Sequence, residues 1–192
     1  MNLKTAKNIG GIGAILTILS VVPAVGWVVS LIGFILVLIA IKTIADAVGK
    51  NKIFTDYIIA AVLNIVSSIM LAVGGIAAFL RLFRQGFGGF AAIGIAVLII
   101  GWILSVVGGY FVKSSFDGIN QATGEKNFKT AGLFIFIGSI LQIIIVGFIV
   151  SFIGIIFEVI GFFSLPDALV KPTPEPEQAI PQEIPPQPPQ SV

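Results

Sequence analysis

An all-α integral membrane bundle, built from repeated helical hairpins, is the fold class that this sequence predicts. Three observations carry that reading. The chain of 192 residues is 57% hydrophobic and only 10% charged, with a mean hydropathy of +1.10. A water-soluble domain carries about 25% charged residues, so there is too little polar surface here to cover a soluble globule. Several apolar runs exceed the roughly 18 residues that mark a spanning helix. Finally, the pattern glycine–aromatic–x–x–serine–x–x–glycine occurs three times inside such runs. It reads Gly26-Trp27…Ser30…Gly33, Gly101-Trp102…Ser105…Gly108 and Gly147-Phe148…Ser151…Gly154. Spacings of four and three put both glycines and the serine on one helix face, and small faces let helix backbones approach closely in lipid.

Taken in order, the apolar runs give six candidate spans, roughly 5–22, 25–45, 56–80, 90–112, 129–146 and 148–165. Pro23 ends the first run and suits a tight turn between two helices. A signal peptide is the rival reading of residues 1–22, but apolar sequence continues past Pro23, where a mature soluble domain should begin. The run from Ala131 to Phe163 would reach about 50 Å as one helix, longer than a hydrocarbon core of about 30 Å. A break near Gly147 gives six spans; without it there are five. The break is supported by an internal repeat: Val25–Ala47 aligns without gaps to Val146–Ala168, with ten identities in 23 positions. Such self-similarity reads as duplication. Connecting segments repeat too, Lys42…Asp46 resembling Lys113…Asp117, and Gly49-Lys50-Asn51-Lys52-Ile53-Phe54 resembling Gly124-Glu125-Lys126-Asn127-Phe128. The plan is three hairpins, about 5–45, 56–112 and 129–165, joined by two basic loops within a membrane domain spanning 1–165.

Residues 166–192 change character. Nine of the ten prolines lie there among Gln and Glu, a composition that predicts a disordered cytoplasmic tail with polyproline II character. Its Pro185-Pro186-Gln187-Pro188-Pro189 segment offers a polyproline-recognising partner a docking motif, against a plain solvated spacer. Charge also divides here. Residues from Asp167 onward sum to −3 and the preceding segment to +5. On a six-span plan one side holds Lys4, Lys7, Lys42, Lys50, Lys52, Lys113, Lys126, Lys129 and Lys171, and the other only Arg81 and Arg84. Nine bases against two place both termini in the cytoplasm, with the protein in the cell (plasma) membrane. That pattern fits orientation in a bilayer rather than nucleic-acid binding.

Cysteine and histidine are absent. This excludes disulfides, thiolate chemistry, iron–sulfur ligation and His-based zinc or haem sites, and it removes the commonest acid–base side chain. The expectation is therefore no cofactor, no metal and no enzyme. Glycine and serine faces (Gly26, Ser30, Gly33; Gly101, Ser105, Gly108; Gly147, Ser151, Gly154) read first as packing surfaces. Glu158 is the only acidic residue placed inside a span rather than at its boundary, where the repeat has Val37; intramembrane carboxylates are costly and mark ion or proton routes, or else a structural hydrogen bond. Asn64, Ser67 and Ser68 share a face of the third span, and Ser139 and Gln142 share one on the fifth. With Glu158 they could line a polar path, although interhelical hydrogen bonding alone explains them. Arg81-Leu82-Phe83-Arg84-Gln85-Gly86-Phe87-Gly88-Gly89 reads as an outer loop, either lying on the membrane surface or a flexible connector. Trp27 and Trp102 read as packing residues, with interface anchoring as the alternative. Gly10-Gly11-Ile12-Gly13 is no phosphate loop, since no Lys-Ser/Thr pair follows it.

Several stretches carry a family resemblance: Thr5–Gly13, the Pro23-Ala24-Val25-Gly26-Trp27 turn, Ile39-Ala40-Ile41-Lys42…Asp46…Ile53-Phe54, Phe128–Gly132, Ile145–Phe148 and Phe162–Pro166. Together they resemble domain of unknown function 996, and the resemblance covers nearly everything before the Pro-rich tail. It implies a small multi-pass membrane protein of a mostly archaeal family with no established activity, and so supplies no catalytic residues. The leading expectation is a structural or accessory membrane component, associating with itself or with another membrane protein. A small transporter or channel through Glu158 and the polar residues is second, and an intramembrane enzyme third.

Overall fold

A computed structural model describes residues 3–19, 26–85, 89–144 and 146–167. Within them the chain forms six α-helices: α1 (Leu3–Ile18), α2 (Gly26–Val48), α3 (Asn51–Gln85), α4 (Gly89–Thr123), α5 (Lys126–Leu141) and α6 (Val146–Phe163). The long run at the C-terminal side is thus divided between α5 and α6, near the expected glycine. Four segments are long and apolar enough to cross a membrane: Val28–Val48, Asn51–Ile76, Ile93–Thr123 and Val146–Phe163. Helices α1 and α5 have only 16 residues each, about 24 Å of rise. The expected Pro23 turn, the Trp27 side chain and the Pro-rich tail from residue 168 onward lie outside the described residues.

Two expected loops turn out to be helix. Lys42–Asp46 and Lys113–Asp117 sit inside α2 and α4, and α3 already begins at Asn51. The reason is a spacing of four between base and acid. Lys42–Asp46 (2.5 Å), Lys52–Asp56 (2.5 Å) and Lys113–Asp117 (2.6 Å) are all ion pairs one turn apart, which supports helix where hydropathy falls away. The connections shrink to Gly49-Lys50 and Gly124-Glu125, each with a left-handed glycine (φ 68° and 77°). After α2 the Lys50 amide donates to Ala45 O (3.0 Å) and the Gly49 amide to Asp46 O (3.3 Å), the paired bonds of a Schellman stop. At the far end of α3 the backbone of Arg81–Gln85 is also helical rather than loop. Leu, Arg and Gln are good helix formers, and the first break in propensity is Gly86.

The helices close a ring in chain order. Each packs on its neighbours in sequence, and α1 returns to α6. Lys7 joins that last seam, donating to Leu165 O (3.3 Å) and pairing with Asp167 (3.6 Å). A file of aromatic rings runs through the ring: Phe34, Tyr57, Phe116, Phe128 and Phe162, with successive centroids 6.4, 6.2, 5.4 and 5.0 Å apart. They come from α2, α3, α4, α5 and α6, and Phe162 ends against Gly10 of α1. One cluster therefore touches all six helices, and offset or edge-on ring pairs add to the burial itself. It sits at the lysine-bearing end, with Ile41, Ile44, Ile53 and Ile119 buried around it. Toward the opposite end the apolar side chains turn outward: Val62, Ile65, Ile69, Val73 and Ile76 on α3, and Ile143, Phe148 and Ile149 around the α5–α6 turn are exposed. Surfaces of this kind are at home against lipid tails rather than water.

Candidate functional site

The three glycine–serine faces occupy one structural role. Each lies on the second helix of a hairpin, α2, α4 or α6; Gly33, Gly101, Gly108 and Gly154 pack on the first, whereas Ser105 turns to Gln142 beyond α5. A Cβ on Gly33 would lie 2.6 Å from Gly13 O, and one on Gly13 2.7 Å from Gly33 O, so backbone meets backbone between α2 and α1. Gly154 approaches α5 as closely, its Cβ position 2.9 Å from Ile135 N. On α4, Gly101 faces Met70 and Leu71 of α3, while Gly108 faces Asn64. Gly26 is buried and Ser30 half-buried. Gly147 lies against Leu141 and Gln142 where the chain reverses into α6, and Ser151 against Gly138. These faces are spent inside the bundle.

Polar side chains fall into three groups. Between α3 and α4, Ser67 donates to Gly101 O (2.7 Å); Asn64 donates to Ala60 O (2.9 Å) and Ser68, exposed, to Asn64 O (2.7 Å), both within α3. Between α4 and α5, Ser105 donates to Gln142 Oε1 (2.8 Å) and Trp102 Nε1 to Ile140 O (3.1 Å). Ser139 donates to Phe136 O (2.7 Å) and abuts Gly109. Trp102 therefore serves one of the carbonyls that the end of α5 leaves without a helical partner. Glu158, 8% exposed, forms the third group on α6. No hydrogen bond among the described residues links one group to another. An apolar cavity of about 380 Å³ lies where the α5–α6 turn meets α3 and α4, lined by Leu71, Ile95, Leu98, Ile99, Trp102 and Phe148 among others.

A polar cleft that sequence reading missed opens at the lysine-bearing end, between the start of α3 and the end of α4. Its volume is about 560 Å³, and Lys50, Lys52, Asp56, Tyr110, Lys113 and Asp117 line it. Asp56, its side chain 7% exposed, accepts from Lys52 (2.5 Å) and from Ser114 (2.6 Å). Lys52 also reaches Ser114 Oγ (3.4 Å), and Ser115 donates to Ile53 O (2.8 Å), tying the two helices together. Asp117 Oδ2 accepts from Lys113 (2.6 Å), while its Oδ1 is buried without a hydrogen-bond partner. The signal was the Lys-x-x-x-Asp spacing at 52–56 and 113–117, which belongs to a helix and not to a loop.

Comparison with known proteins gives this architecture a family. The profile for "Protein of unknown function (DUF996)" matches residues 29–156. The chain belongs to the DUF996 family. A curated relative, the uncharacterized protein MJ1644 of Methanocaldococcus jannaschii, is 38% identical over 172 residues, covering 88% of this chain and 96% of that protein. No solved structure matches. The DUF996 match spans nearly all of α2 to most of α6, and so contains the cleft and the α3–α4 and α4–α5 polar groups. It stops two residues short of Glu158. Among the described residues, this DUF996 chain gathers no three acidic side chains into a metal-binding group.

Proposed function

We propose that this DUF996 protein is a structural or accessory component of the cell membrane, acting through helix packing and protein partners rather than by transport or catalysis. One observation supports this above the others: Asn64, Ser67, Ser68, Trp102, Ser105 and Ser139 form hydrogen bonds to backbone carbonyls or to Gln142, in separate groups. A transport route needs polar groups converging near the midplane along a cavity that reaches a surface, and the cavity beside the α5–α6 turn is lined mainly by apolar side chains, with Gln142 among them. Because the small-residue faces are consumed internally, a partner or second copy would meet the outward face of α3, from Val62 to Ile76. The lysines at the common end favour all three hairpins entering and leaving on the cytoplasmic face, for six crossings.

The test is a pull-down from native membranes in mild detergent, paired with flux measurements in proteoliposomes. A stoichiometric membrane-protein partner, or a stable homo-oligomer, with no solute flux is the expected result. A small transporter is the second reading, favoured by the burial of Glu158 on α6. Ion or solute flux abolished by Glu158→Gln, in a variant that still folds, would replace the accessory assignment.

A further inference from the structure

We propose that the cleft between the start of α3 and the end of α4 holds the phosphate headgroup of an anionic phospholipid, drawn from the leaflet at the lysine-bearing end. This goes beyond the accessory role and depends only on the protein lying in a membrane. The charge count comes first. Lys50, Lys52 and Lys113 face Asp56 and Asp117 across the cleft, leaving one positive charge in excess. Asp56 is engaged by Lys52 and Ser114, and Asp117 by Lys113. Lys50 is exposed and forms no ion pair among the described residues, so it is the cation left to meet an incoming anion. Lys52 keeps its side chain 76% exposed even while paired. Asn51 and Gln121 add side-chain amides to the wall.

The shape then selects a lipid over a free anion. Tyr110, 55% exposed, stands at the apolar edge of the cleft, with its ring against Phe111 and Phe136. Below it, Val107 and Ile103 continue the exposed face of α4, at spacings of three and four that keep them in one stripe. A headgroup seated among the lysines would lay an acyl chain along that stripe; inorganic phosphate has no use for it. A volume of about 560 Å³ is within the range of sites that enclose small molecules. Basic pockets between membrane helices on the cytoplasmic side are a recurrent home for anionic headgroups.

The experiment uses the full chain purified in a neutral detergent and exposed to equimolar phosphatidylglycerol and phosphatidylcholine, with retained lipid counted by native mass spectrometry. Phosphatidylglycerol should be retained preferentially. Lys50→Gln should lower that retention about fivefold, and Lys50→Arg should preserve it, with phosphatidylcholine unaffected throughout. Lys50 is exposed, so the variants should melt with the parent protein, and a matched melt makes the comparison valid. Equal retention of the two lipids would overturn the proposal, as would retention unmoved by Lys50→Gln and by the Lys50→Gln/Lys52→Gln pair. Binding of inorganic phosphate that phosphatidylglycerol fails to displace would overturn the lipid assignment in favour of a free-anion site.

Discussion

Gly13→Ala probes the close backbone contact between α1 and α2. The new methyl carbon would stand 2.7 Å from Gly33 O, 2.8 Å from Leu36 Cβ and 2.9 Å from Val37 N. Comfortable separation for such atoms begins near ~3.5 Å, so α1 and α2 must part by about 0.7 Å. Backbone atoms on the far side cannot rotate away. Overpacking of this kind costs about 1–3 kcal/mol, while alanine returns up to ~1 kcal/mol of helix propensity over glycine. The net expectation is a loss of about 1–2 kcal/mol, or roughly 2–8 °C in melting temperature for a protein of this size. Gly75→Ala is the control, because the nearest atom to its Cβ is Leu98 Cδ2 at 3.9 Å. It carries the propensity gain without the clash and should melt at or above the parent. The readout is a thermal scan in detergent, followed by intrinsic tryptophan fluorescence. Equal melting of Gly13→Ala and Gly75→Ala would refute the contact. Adding Gly33→Ala to Gly13→Ala should cost less than the sum of the singles, since the helices are already apart.

Other outcomes test separate parts of the fold. Phe116→Ala removes a fully buried ring held between Tyr57 and Phe128; it should cost about 3–5 kcal/mol and show as poor recovery of monodisperse protein on size exclusion, with Phe116→Leu milder. Trp102→Phe keeps the ring but deletes the donor to Ile140 O, for a loss of about 0.6–2 kcal/mol in the same thermal scan. Gly49→Ala meets nothing within 4 Å, so its cost is backbone alone, about 1–2 kcal/mol at a left-handed position, and Gly49→Asn should recover part of it. The chain has no cysteine, so single-cysteine labelling needs no prior substitution. Lys50→Cys should react with a membrane-impermeant maleimide from the cytoplasmic side only, and Ile143→Cys from the opposite side only; reaction of both from one side would refute the six-crossing plan.

The legible part of the fold was whatever depends on hydropathy along one helix. Six apolar runs marked six helices, and the Val25–Ala47 repeat placed the division between α5 and α6 although Gln142 is the only polar residue in that turn. What stayed hidden was held by contacts between helices. The ends of α2, α3 and α4 were misread as loops because Lys42, Lys52 and Lys113 lower the hydropathy, while their pairing with Asp46, Asp56 and Asp117 is what keeps the turns wound. The same oversight concealed the cleft, whose two walls are 58 residues apart at Asp56 and Ser114. Periodicity put Asn64, Ser67 and Ser68 on related faces of α3, yet it carries no information on which neighbour each side chain meets. The aromatic file was equally invisible. Phe116 and Phe128 reveal their pairing only once the αL glycine at 124 turns the chain back.

The seam between α1 and α6 sets an order of events on the ribosome. Gly10 and Gly11 are made early, but Phe162 and Phe163, which rest on them, are made about 150 residues later. At translation rates of about 5–20 residues per second, α1 waits roughly eight to thirty seconds with that flank uncovered. Completion of the barrel-like circuit is thus its final assembly step, and a nascent chain stalled before α6 would present a vacant glycine groove for quality-control machinery to detect.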